Sequence, residues 1–102
     1  MRHVDSGTTL VSSPRLELTP GEWSKVVRAL RLSPSQASVV HLILHGKKDK
    51  QIAQQLGLKH STIRTYLSRM FARFGVTDRM GLLLCVMSVY VRVIRETATL
   101  RD

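Results

Sequence analysis

The residues most able to do chemistry lie between Gln51 and Gly75, and the chemistry they favour is recognition rather than bond making. Ala53, Gly57 and Ile63 stand at relative positions zero, four and ten. Two helices joined by a tight turn need these types at these places. A small residue allows close approach, glycine supplies a left-handed turn, and a branched apolar side chain plugs the angle between the helices. Ile52, Leu56, Leu58 and Leu67 are expected to add apolar contacts. Beyond the turn, Ile63, Leu67, Met70, Phe71 and Phe74 fall on one side of a helix. The opposite side carries Ser61, Thr65, Ser68, Arg69 and Ala72, with Arg64 on its flank, and no carboxylate. A merely solvated face mixes signs. A short-chained, cationic face fits a major groove, where arginine bonds a guanine edge in two places.

The charge agrees. The chain has 102 residues, 16 Lys+Arg against 7 Asp+Glu, and a formal net charge of +9. From Lys47 to Arg79 eight cations face only Asp49 and Asp78. Such a balance points to a polyanionic partner, most simply double-stranded DNA. Other chemistries find little support. His41 and His45 are spaced i, i+4 as a metal pair would be, but no third ligand lies near, so neither a metal nor another cofactor is expected. Cys85 is alone in an apolar run and reads as a small core residue. Neither a Ser/His/Asp ordering nor paired carboxylates appear, so no enzymatic activity is expected. One cysteine and the lack of a signal-like segment fit a soluble cytoplasmic protein. The apolar run Met80 to Val91 is too short to span a bilayer, so no membrane partner is expected.

These residues need elements to hold them. Residues 1–17 mix Gly, Ser, Thr and Pro without periodicity and read as a flexible arm. Residues 18–102 form one helical domain, with 18–31 an extra helix ahead of a unit over 32–96. Thr19-Pro20-Gly21-Glu22 starts the extra helix with a capping box, and Ser33-Pro34-Ser35-Gln36 repeats the device. Trp23, Val26, Val27 and Leu30 form an apolar stripe, Trp23 as a core anchor. Ala37, Val40, Ile43 and Leu44 form the next, ending at Gly46. Asp49 is placed to cap a short helix over about 50–56, Gly75 closes one running from about His60 to Phe74, and a last helix starts near Thr77-Asp78 and ends about Arg95. No segment alternates as a strand does. The fold class is all-α, with five helices.

Leu32 to about Val89 resembles the DNA-binding domain of LuxR-type (GerE-like) transcription factors. The resemblance rests on Leu32-Ser33-Pro34, Gly46, Lys50-Gln51-Ile52-Ala53, Ser61-Thr62-Ile63-Arg64-Thr65-Tyr66, Arg69 and Gly75-Val76. It implies a four-helix fold in which the third helix reads DNA and the fourth dimerises. It assigns base contacts to Arg64, Thr65 and Ser68, and backbone contacts to Lys50, Thr62 and Arg69, with Lys59, Ser61 and Tyr66 beside them. The family's first two glutamates are replaced here by Gln36 and Gln51. Its serine cap on the recognition helix is Lys59, which leaves His60 or Ser61 to cap, and Tyr66 stands for its histidine.

The last helix carries two apolar stripes. Met80, Leu83, Leu84, Met87, Val91 and Ile94 form one; Leu82, Val86, Val89 and Val93 form the other. One small domain covers only one of them. The second set, Leu82, Val86, Val89 and Val93, is assigned to a homodimer interface, with the Trp23 helix as its competing cover. The function expected is a sequence-specific transcriptional regulator, bacterial or phage-encoded and nucleoid-associated. It would insert residues 60–74 into a two-fold DNA site. Control is expected from abundance or a partner protein, with no receiver or ligand-binding domain foreseen. The rival expectation is a helical adaptor for a protein such as RNA polymerase or another regulator.

Overall fold

Two capping boxes set the start of the chain's helical part. In the computed structural model, which describes residues 19–101 and side chains through residue 96, the Thr19 hydroxyl accepts from the Glu22 N–H and the Glu22 carboxylate accepts from the Thr19 N–H, both at 3.1 Å. This opens α1 (Pro20–Leu30). Ser33 and Gln36 repeat the pair at 3.1 and 2.9 Å and open α2 (Pro34–Leu44). Gln36 therefore keeps the reciprocal hydrogen bond that a glutamate would make, without its charge. The arm expected over 1–17 lies outside the described residues.

The remaining helices are α3 (Asp49–Leu56), α4 (His60–Phe74) and α5 (Arg79–Arg101). No strand occurs among the described residues, and the all-α expectation holds. Asp49 does not cap α3 as expected. It is the first residue within the helix, and its carboxylate pairs with Arg79 instead. The cap position is Lys48, whose N–H donates to Gln51 Oε1 at 2.8 Å. Asp78 caps α5 by accepting from the Gly81 N–H at 2.9 Å, and α5 runs six residues past the expected end.

One continuous core joins all five helices. Val26, Leu30 and Leu32 meet Val39, Val40, Leu42 and Ile43 of α2, Ile52 and Ala53 of α3, Ile63, Leu67 and Met70 of α4, and the inner side of α5. Buried Val39 and Leu42 widen the stripe expected on α2, because that helix is covered on more than one side. Leu58 departs from expectation the other way and is exposed.

The largest correction concerns α5. Leu82, Val86, Val89 and Val93, assigned above to the dimer, are buried within a single chain, Leu82 and Val86 at 1% exposure. The physical reason is α1, which packs along α5 more extensively than along any other helix and claims this stripe. The surface left over is the other one, where Met80 and Leu84 are 63% and 62% exposed and Val91 and Ile94 are exposed as well. Among the described residues no single helix is long and apolar enough to cross a membrane.

Candidate nucleic-acid interface

Local sequence fixes the angle between α3 and α4. Gly57 ends α3 at φ 68° and its N–H reaches back to the Ala53 and Gln54 carbonyls, while the Leu58 N–H bonds Ala53 at 2.9 Å. Only glycine enters this left-handed region without steric cost. Ala53 and Ile63 are both buried on the inside of the corner, as their sizes require. The helix-turn-helix spacing read from the sequence is therefore the observed geometry.

With Ile63, Leu67 and Met70 turned into the core, α4 presents its other side. Ser61, Arg64, Thr65, Ser68, Arg69 and Ala72 are all exposed. The Thr65 hydroxyl donates to the Ser61 carbonyl at 3.0 Å, which keeps this face low and close to the helix barrel. Lys50 on α3 and Lys59 at the start of α4 are exposed too, whereas Thr62 and Tyr66 are half-buried at its edge. Tyr66 packs on the core. Neither His60 nor Ser61 caps α4, contrary to expectation. Lys59 holds the cap position in extended backbone, and no side chain accepts from the first-turn N–H groups.

The arginines divide into two sets that sequence alone does not separate. Arg73 donates to the Leu30 carbonyl at 2.6 Å and to Gln36 Oε1 at 3.4 Å, and its guanidinium lies 4.9 Å from the centre of the Phe74 ring. Arg79 donates to the Lys47 carbonyl at 3.1 Å and to the Asp49 carboxylate. Both are tied to backbone carbonyls of the fold, Arg73 from an exposed position and Arg79 from a half-buried one. Arg64, Arg69, Lys50 and Lys59 have no ion pair or hydrogen-bonded partner for their side chains among the described residues. Both acids of the segment are occupied, Asp49 by Arg79 and Asp78 by the cap of α5. Arg64 borders a shallow depression with Asp49, Ser68, Phe71, Asp78 and Arg79. Spacing placed the first set; only the positions of the Leu30 and Lys47 carbonyls reveal the second.

The histidine pair sits in an aromatic cluster with Trp23. The His41 and His45 rings lie 4.4 Å apart, Trp23 packs tilted against His41 at 5.6 Å, and His45 Nδ1 pairs with the His41 carbonyl at 2.8 Å. Burial, and then the neighbouring His45, push the His41 pKa below 6.5. No three His, Cys, Asp or Glu residues gather in a metal-holding group among the described residues.

Comparison with known proteins follows the same boundaries. Residues 30–86, over half of the chain, match the family described as bacterial regulatory proteins, luxR family. The transcriptional regulatory protein DesR of Bacillus subtilis is 35% identical over 49 residues, 48% of this chain and 25% of that protein. A protein of Mycobacterium tuberculosis named as an HTH-type transcriptional regulator is 33% identical over 51 residues, 50% of this chain and 6% of that one. The chain thus spans a quarter or less of the length of these relatives. No solved structure gives a significant match.

Proposed function

Since the chain belongs to the luxR family of bacterial regulatory proteins, we propose that it is a sequence-specific DNA-binding transcriptional regulator that lays α4 in the major groove. The observation that carries this is the carboxylate-free outer side of α4, with Arg64 and Arg69 unengaged while Arg73 and Arg79 are fixed. In this reading Arg64, Thr65 and Ser68 meet base edges, where small side chains let the helix approach and arginine selects guanine. Arg69, Lys50, Lys59, Ser61, Thr62 and Tyr66 surround them and meet phosphates. The uncapped start of α4 favours the same contact, because free N–H groups at a helix N-terminus attract anions.

A second copy completes the site. The exposed side of α5, with Met80, Leu84, Val91 and Ile94 beside half-buried Met87, is the apolar surface left uncovered among the described residues. Pairing it across a two-fold axis would give a dimer with two α4 helices, as a two-fold DNA site with half-sites about one turn apart requires. In this reading the protein works on the DNA of the bacterial nucleoid.

Salt dependence of binding tests the central step. Six cations between Lys47 and Arg79 remain after Arg73 and Arg79 are set aside. If each released one counterion, log K would fall with log salt at a slope near −5 per protomer, from about 0.9 per phosphate. A slope of about −3 or steeper supports the reading. Binding to duplex DNA that is absent, or indifferent to salt, refutes it and favours a protein-binding adaptor.

A further inference from the structure

Four backbone positions among the described residues take positive φ. Three are glycines, Gly46, Gly57 and Gly75; the fourth is Arg31, at φ 53°. Arg31 terminates α1 in the left-handed conformation, its N–H bonded to the Arg28 and Val27 carbonyls. A side chain in that conformation is sterically disfavoured, and the other helix ends of this chain use glycine where it is required. Among the described residues nothing offsets the strain through the Arg31 side chain. It is exposed and has no ion pair or hydrogen bond among the described residues. The backbone cap holds this conformation without using the arginine side chain, which is a reason to look for work that side chain does outside the fold.

Its location says what work. The carbonyl of the preceding residue, Leu30, is the one that Arg73 of α4 grips at 2.6 Å. Arg73 follows Arg69 by one turn, and Thr62, Arg69 and Arg73 lie along one edge of α4. That edge therefore runs from the start of the groove-reading helix to the α1–α2 junction, and Arg31 stands at its far end. In homeodomain complexes, a three-helix variant of the helix-turn-helix, the C-terminal end of the recognition helix and the loop between the first two helices rest on the DNA backbone. Lys25 and Arg28, also exposed on α1, share a depression with Arg92 and with the acid Glu96, so they are less purely cationic than Arg31.

We infer that Arg31 is a phosphate contact that extends the DNA footprint beyond α4, to the backbone flanking the C-terminal end of that helix. This rests on the DNA-binding reading above. An acidic protein segment could offer similar charge, but continuity with the Thr62–Arg69–Arg73 edge assigns the ligand to duplex phosphate.

The test uses the full chain carrying Arg31→Gly, with Arg69→Ala as the reference, and measures binding to a selected duplex across a salt series together with melting temperature. Glycine suits φ 53°, so Arg31→Gly is expected to melt no lower than wild type. Its affinity is expected to fall several-fold near physiological salt, its slope of log K against log salt to shrink by about 0.9, and its sequence preference to stay unchanged. Weaker binding by a fold that is no less stable separates a contact from a structural role. An Arg31→Gly slope equal to wild type, alongside a reduced Arg69→Ala slope, overturns this inference and leaves the DNA reading intact. A wild type that does not bind duplex DNA overturns both.

Discussion

Placing a carboxylate on either side of α5 separates the two roles assigned to that helix. Val86 is 1% exposed and packs in the core that α1 closes. Val86→Glu would bury a charge with no partner, at a cost of about 4 kcal/mol or more. A folded part of some eighty residues has a total stability of roughly 4–12 kcal/mol, at about 0.05–0.15 per residue. Val86→Glu should therefore remove about a third or more of that stability, and all of it at the lower end of the range. Leu84 is 62% exposed, so Leu84→Glu costs the isolated chain little. In a two-fold dimer its effect is larger. Burying a leucine fully is worth about 1.5–3 kcal/mol, so the exposed part supplies about 1–2 kcal/mol per copy and about 2–4 for both. That alone weakens the dimer at least about thirtyfold, before the repulsion of two facing carboxylates is added. Circular dichroism reports folding, and analytical ultracentrifugation reports assembly. The expected pattern is a Val86→Glu that melts far below wild type or does not fold, and a Leu84→Glu that is folded and monomeric. A Val86→Glu chain that folds normally contradicts the packing of α1 on α5. A wild-type dimer that Leu84→Glu leaves intact places the interface elsewhere, and a wild type that stays monomeric on DNA refutes the dimer.

Three further outcomes follow from particular contacts. A Cβ on Gly81 would stand 2.8 Å from Val76 Cβ and 3.2 Å from its Cγ1, so Gly81→Ala is expected to lower stability by about 1–3 kcal/mol in urea denaturation, despite alanine's better helix propensity. Arg79→Ala removes the bonds to Asp49 and the Lys47 carbonyl that tie α5 to the start of α3; the pair is about a third exposed, so the expected loss is about 1 kcal/mol, read as a lower urea midpoint with unchanged sequence preference. Burial and His45 hold the His41 pKa below 6.5, so the folded chain binds fewer protons there than the unfolded one. That contribution is full above pH 6.5 and declines as pH falls through the window just beneath it. His41→Gln should flatten the decline, seen as a smaller drop in melting temperature than wild type shows between about pH 7.5 and 5.5.

What could be read from the sequence was whatever is decided locally. Thr19 with Glu22, and Ser33 with Gln36, are neighbours three residues apart, so their boxes need no knowledge of the fold. Gly57 and Gly75 mark helix ends for the same reason, and the Ala53–Gly57–Ile63 spacing carries the turn. The outer side of α4 follows from helical periodicity, because a strongly one-sided stripe leaves no choice of which side is buried. On α5 both stripes are apolar, and the choice between them depends on where α1, some sixty residues earlier, comes to rest. Arginines 64, 69, 73 and 79 look alike in sequence. Two of them are captured by carbonyls distant in the chain, which no local pattern encodes. Asp49 illustrates the same limit, since its position suited a cap but the Arg79 guanidinium drew its carboxylate into an ion pair.

Selection of bound duplexes from a random DNA pool by the full chain addresses sequence-specific recognition directly. The expected result is an enriched motif with two inverted half-sites about one helical turn apart, containing a guanine whose enrichment disappears when Arg64→Ala is used, since one bidentate arginine contact discriminates by about 1–3 kcal/mol. A pool that emerges without enrichment, from a chain that is folded and present at micromolar concentration, would contradict the assignment of α4 as a base-reading helix.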